Sequence, residues 1–210
     1  MMIAMMIRGL ILFCAFIPDE HVPPVRVAGI GSFVDLDNRS IVDSGKLPPK
    51  AICLVFLGPD CPVSNALCPE ITRIQKAYIP RGVVFAGVYP DPDVDLKRAR
   101  DHEKEYAPGL PRILDPKLVL ARQVKIEIMP EAAIFDTSGK VLWRGRINDL
   151  WTSEGKKRLA PQSHDLRMAL DAIVDGKTPP PAKGKAYGCP LPEIGSKTGP
   201  GTGLPADRNR

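Results

Sequence analysis

Short, unbroken apolar runs alternate along this chain with longer amphipathic or charged stretches, and proline and glycine stand at the joins. Residues 52–57 (ICLVFL) contain no charged or amide side chain, which predicts a strand buried on both faces in the middle of a sheet. Residues 82–89 (GVVFAGVY) repeat the pattern and close on Pro90-Asp91-Pro92, predicting a second buried strand. Between the two, Leu67, Ile71, Ile74 and Tyr78 recur at helical spacing from a start near Pro62, where a missing N–H is tolerated. Pro69 falls inside that helix and predicts a kink. Residues 95–106 (DLKRARDHEKEY) have few apolar positions and predict a largely solvated helix, with His102 on its surface. A short strand at 112–114 and a short helix at 117–124 follow. Residues 132–135 and 141–146, joined by the turn Asp136-Thr137-Ser138-Gly139-Lys140, predict an antiparallel hairpin at the end of the sheet. Residues 164–175 place Leu166, Leu170, Ile173 and Val174 on one face of a last helix, with Ser163 as its N-cap and Gly176 as its stop. Upstream, 32–42 (SFVDLDNRSIV) alternates around Asp37-Asn38 and predicts an N-terminal hairpin.

Composition sets the boundaries. With 210 residues, 44% of them hydrophobic, the chain can bury one core, placed here at 28–177. Residues 178–210 are rich in Pro, Gly and Lys and predict a mostly disordered, flexible tail containing one informative island, Tyr187-Gly188-Cys189-Pro190. The net charge of +5 is scattered rather than striped with aromatics, which argues against a nucleic-acid partner. Residues 1–20 carry Arg8 ahead of an apolar stretch of signal-peptide length, too short for a membrane span. An exported, periplasmic or cell-envelope protein is expected, loosely membrane-associated at most, or a cytoplasmic one if the segment is not a signal. The bulky Phe13 before Cys14 does not suit lipidation.

Chemistry concentrates at 52–69. After the first buried strand, Gly58-Pro59-Asp60 turn the chain and place Cys61 at the N-terminus of the helix begun by Pro62. Unpaired N–H groups and the positive end of the helix dipole favour a thiolate there, which makes the sulfur nucleophilic. Asp60 is a candidate cap or proton carrier, and Ser64 a candidate donor to the thiolate. Cys53 lies within the strand and reads as core. Cys68 is seven residues past Cys61, about 10 Å along the helix axis, too far for a disulfide unless the first turns unwind. Cys189, on the tail, is the better partner, with Cys68 kept as a possible one. No CxxC or Cys/His zinc spacing occurs, so neither a cofactor nor a metal is expected.

The order strand, helix, strand, helix, strand, strand, helix, with a cysteine after the first central strand and an X-Pro before the hairpin, resembles the thioredoxin fold. Cys61 and Pro69 are eight apart, as are the active cysteine and the kinking proline of that fold, and Pro130 falls where it carries a cis-proline. The segments DCPVSN, VYPDP, PEAAIFD, GRINDLW, KKRLAPQSHDL and the late Gly188-Cys189 are similar to redoxin-domain proteins of the peroxiredoxin/thioredoxin-like group, over roughly 28–190. The resemblance implies an α/β fold with a central mixed sheet flanked by helices, and a site built from Cys61, Pro130 and Cys189. Two departures matter. Ser64 stands where a thioredoxin has its second cysteine, and Gly58 and Pro130 stand where peroxiredoxins place a threonine and an arginine, so that Arg112, Arg144 or Arg146 would have to substitute in space.

The expectation is a thiol-disulfide oxidoreductase that uses Cys61 as nucleophile, resolved by Cys189 or an external thiol, with a protein thiol or disulfide as partner. Two alternatives stay open. One is a thiol peroxidase, acting through a sulfenic acid. The other is a redox-inert binding or copper-handling module, which needs Cys61, Cys68 or Cys189 gathered with a histidine. His164, with Asn148, Asp149 and Trp151, belongs to a family-like segment that the residues alone give no role.

Overall fold

The structure is a computed structural model that describes residues 26–27, 31–32, 49–106, 109–153 and 155–193. The expected hairpin at 32–42 and the apolar segment at 1–20 lie outside these. Two short strands, β1 (Arg26–Val27) and β2 (Gly31–Ser32), pair antiparallel ahead of the main body. The body runs β3 (Ala51–Phe56), α1 (Pro62–Tyr78), β4 (Val83–Tyr89), α2 (Leu96–Tyr106), β5 (Arg112–Leu114), α3 (Val119–Gln123), β6 (Ile128–Met129), β7 (Glu131–Phe135), β8 (Val141–Gly145), β9 (Trp151–Ser153), β10 (Lys156–Lys157), α4 (Asp165–Val174) and β11 (Cys189–Pro190).

Five strands form one mixed sheet in the order β5-β4-β3-β7-β8. β4 runs parallel to both β3 and β5, while β7 is antiparallel to β3 and β8. The unbroken apolar run of β3 follows from this central place, because each of its faces meets a different core. Cys53, Val55 and Leu57 face a cluster built with Leu67, Ile71 and Ile74 of α1 and with Leu166 and Leu170 of α4. Ile52, Leu54 and Phe56 face the other cluster, with Leu120 and Ala121 of α3 and Ile126 beyond it. Helix α1 runs through Pro69 to Tyr78. Among the described residues, no helix is long and apolar enough to cross a membrane.

Two expectations change here. His102 is 4% exposed, not a surface residue: its ring meets Tyr89 edge-on and stacks on Tyr106, and both its nitrogens are hydrogen-bonded. Charged neighbours on the outer side of α2 masked the one face, with Ala99, that turns inward. The tail, secondly, is not loose between 178 and 193. Trp143 donates from Nε1 to the Pro180 carbonyl at 3.0 Å. Lys183 N donates to Asp165 at 2.7 Å, a carboxylate also paired with Arg146 at 3.0 Å. β11 then pairs antiparallel with β6. Its composition signalled the lack of a core of its own, but the tail borrows one from the body it crosses.

Candidate functional site

Cys61 follows the carboxyl end of β3 and is the N-cap of α1, with extended backbone (φ −83°, ψ 110°) and its side chain accepting from Ser64 N at 3.4 Å. Asp60 does not cap the helix. Its side chain points outward and pairs with Arg98 of α2.

Three elements, α1, β6 and β11, converge on the Cys61 sulfur. As a thiol it donates to the Met129 carbonyl at 3.3 Å. Met129 ends β6, and the Met129–Pro130 peptide that follows is cis. On the far side of β6, β11 places Cys189 opposite Met129 in register. The Cys189 thiol and backbone N–H both donate to Cys61 once it ionises, as do the Ser64 hydroxyl and N–H. Ser64 is completely buried, and its hydroxyl oxygen in turn accepts from Gly58 N at 3.3 Å.

These donors set the electrostatics. The Cys189 hydrogen bond is the largest influence on Cys61, burial opposes it, and the Ser64 bonds add to it, so that the Cys61 thiol falls to about 5 from the ordinary cysteine range. Cys189 moves the opposite way. It is pushed up by giving its proton to Cys61, by burial and by the negative charge alongside. The two thiols therefore titrate as a coupled pair, with the negative charge favoured on the Cys61 sulfur. Both cysteines are free thiols here.

The remaining predicted residues fall elsewhere. Cys53 and Cys68 are fully buried in the core. Burial drives both thiols up, Cys68 to about 12 with help from the Cys61 charge, and leaves them inert. The three arginines expected to stand in for a missing cation are all engaged away from the sulfur. Arg112 pairs with Glu103, Arg144 donates to the carbonyls of Val124 and Lys125, and Arg146 pairs with Asp165. Asp149 accepts from the N–H groups of Gln162 and Ser163 and so closes the family-like loop structurally. His164, not Ser163, occupies the N-cap of α4, is exposed, and makes no side-chain cap. Among the described residues no three His, Cys, Asp or Glu side chains gather as a metal site.

The roles of three contributors escaped the sequence reading. Met129 gives the carbonyl that meets the sulfur. Gly188 lies against that same carbonyl oxygen, and a Cβ there would collide with it and stand 3.2 Å from Pro130 Cδ. The third is a relay behind the loop: Asn65 donates from Nδ2 to the Pro59 carbonyl at 3.0 Å, leaving its Oδ1 to accept from His102 Nε2 at 2.9 Å. His102 Nδ1 then accepts from the Tyr89 hydroxyl at 2.9 Å. That tautomer follows from the orientation of the Asn65 amide. In front of the sulfur opens a cleft of about 410 Å³ lined by Gly58, Pro59, Cys61, Met129 and the tail from Cys189 to Glu193.

No protein-family model matches the chain, and no curated protein matches it by sequence. Solved structures do. An uncharacterised conserved protein from Geobacillus kaustophilus superposes with a TM-score of 0.57 at 23% identity, over 70% of this chain and 78% of that one. A hypothetical protein from Sinorhizobium meliloti 1021 gives 0.55 at 22%, over 68% and 79%. The C-terminal domain of a protein provisionally named a thiol-disulfide oxidoreductase, from Bacteroides thetaiotaomicron, gives 0.52 at 18%, over 73% and 97%. What the chain shares with them is its fold.

Proposed function

We propose that this chain, which has a thioredoxin-like fold, is a thiol-disulfide oxidoreductase whose two working cysteines lie 128 positions apart, at Cys61 and Cys189. The observation that carries the reading is the register of β11, which sets Cys189 opposite Met129, whose carbonyl meets the Cys61 sulfur at 3.3 Å at the N-cap of α1. A CxxC protein keeps its second cysteine one turn into the helix. Here Ser64 holds that place as a hydrogen-bond donor, and the tail brings the second sulfur from outside.

The cycle follows from the two protonation states. The Cys61 thiolate attacks one sulfur of a partner disulfide, the partner's other sulfur leaves as thiolate, and a mixed disulfide forms. Cys189 then gives up its proton, which ends on a partner thiolate, and attacks the Cys61 sulfur. The Cys61–Cys189 bond forms, the partner's first sulfur leaves, and two electrons have passed to the partner. Run backwards, the same steps oxidise a partner dithiol. No cofactor enters. Because the cations that peroxide reduction would call on are engaged elsewhere, a protein disulfide fits the site better than peroxide does. The apolar, Arg8-bearing segment at the N-terminus supports an exported setting, where such bonds persist.

Turnover of a protein disulfide by the full chain tests this. Cys61→Ser should abolish it, and Cys189→Ser should allow one round and then accumulate the mixed disulfide at Cys61. Wild-type turnover by Cys61→Ser would refute the assignment, and so would a Cys61 that oxidises with peroxide far faster than it exchanges with disulfides.

A further inference from the structure

The tail does more than deliver a sulfur, since it sits as a strand on the edge of β6 immediately beside Cys61. Its pairing there has a defined register, Cys189 opposite Met129 and Pro190 opposite Ile128, continued by Leu191 N donating to the Glu127 carbonyl at 3.1 Å. Pro190 lacks an N–H and costs nothing on an outermost strand. Leu191 packs its side chain against the core cluster behind β3. The contact that decides who can sit here is one residue earlier. Gly188 presses on the Met129 carbonyl so closely that any Cβ would strike its oxygen and carbon, and backbone cannot swing away as a long side chain can.

Building on the oxidoreductase reading, which already requires a partner segment to lie beside Cys61, we propose that the edge at 127–129 selects extended partner segments with glycine immediately before the cysteine. The tail is the resident example of that pattern. A partner sulfur reaches Cys61 in line only if its own backbone takes the place held by 188–191, and a partner strand in that register puts its residue before the cysteine where Gly188 now lies. One edge accepts one strand at a time. Exchange of strands thus accompanies exchange of disulfides. The partner segment displaces the tail, Cys61 attacks the partner's sulfur–sulfur bond and its far sulfur leaves. The returning tail then brings Cys189 to the Cys61 sulfur as the reduced segment departs. The ladder being displaced has only two residue pairs, so opening it is a local event and not unfolding.

The test uses the full-length Cys189→Ser chain, which retains the tail and Gly188 but cannot resolve. Three peptides, Gly-Cys-Pro-Leu, Ala-Cys-Pro-Leu and Val-Cys-Pro-Leu, each carrying thionitrobenzoate on the cysteine, are compared by release of the chromophore. The hydroxyethyl–thionitrobenzoate mixed disulfide, which releases the same chromophore but has no peptide backbone, serves as the control. The Gly peptide should react at least about tenfold faster than the Val peptide, with Ala nearer to Val than to Gly. Adding Gly188→Val to the same chain should release the tail and speed the reaction with the Gly peptide. Equal rates for the three peptides, with the hydroxyethyl control reacting, would overturn the selection and leave the oxidoreductase reading standing. No reaction with any disulfide, the control included, would remove both.

Discussion

At the scale of single residues the site is an anion hole for sulfur. Cys61 is not charged by a neighbouring cation. It is held by donors, and the largest contribution comes from a group that is itself a thiol. Cys189→Ala should therefore raise the Cys61 pKa more than Ser64→Ala does, because the Ser64 backbone N–H survives its own substitution. Thiolate ultraviolet absorbance followed against pH reads both, and the reverse order would contradict the geometry. Cys61 also ties stability to pH. Its folded pKa, about 5, lies below the roughly 8.5 of an unfolded thiol, so its contribution is complete above the unfolded value and is lost as pH falls through the folded one.

His102 carries a second, separable dependence. Burial lowers its pKa, so the folded chain binds fewer protons than the unfolded one just below pH ~6.5, and stability declines as pH falls through the folded value. His102→Phe strands the Asn65 and Tyr89 polar groups and should cost about 1–3 kcal/mol at neutral pH in urea unfolding. Because the loss removes the titrating group, the gap between variant and wild type should narrow as pH drops from 7.5 to 5. A constant gap would mean that the ring titrates as it does in water. The chain concealed this residue because Asp101 before it and Lys104 and Glu105 after it are exposed on α2.

At the scale of elements, β3, α1, β4, the β7–β8 hairpin and α4 were legible because each carries a single dominant pattern: continuous apolar runs at the sheet's centre, helical spacing beside it, and a turn between alternating strands. The tail was not legible. Its anchors are made across long separations, Trp143 to Pro180 and Asp165 to Lys183, and each depends on a partner that belongs to another element. Asp165 is the joint between body and tail, since it accepts from both Arg146 and Lys183. Removing it as Asp165→Ala leaves the nearly buried Arg146 without its counter-charge, a change worth about 3–5 kcal/mol in comparable buried pairs. Limited proteolysis between 177 and 188 should become much faster in that variant. Alkylation of Cys61, only 2% exposed in the docked state, should rise with it. Unchanged protection of both would show that the tail is held by other contacts.

At the scale of the molecule, the fold supplies a scaffold and the stretch at 178–193 brings to it a second thiol that the turn at Cys61 lacks. The departure from CxxC, visible in Cys61-Pro62-Val63-Ser64, excluded a local dithiol. The replacement was legible only as a candidate, because distance along the chain says nothing of distance in space. On the proposed thiol-disulfide reading, the docked tail has a consequence for electron flow. Ionised Cys61 is stabilised in the reduced protein and disappears as such in the disulfide, so the reduced state is favoured and the pair should be more oxidising than the about −270 mV of thioredoxin. Equilibration against glutathione buffers reads that potential.

The most direct measurement is nonreducing peptide mapping of the native full-length chain brought stepwise through that same glutathione series. The account predicts that the first disulfide to form joins the peptides of Cys61 and Cys189, with Cys53 and Cys68 still alkylatable after unfolding. Recovery of Cys61 as a stable glutathione adduct beside a free Cys189, or joined to Cys68, would contradict it.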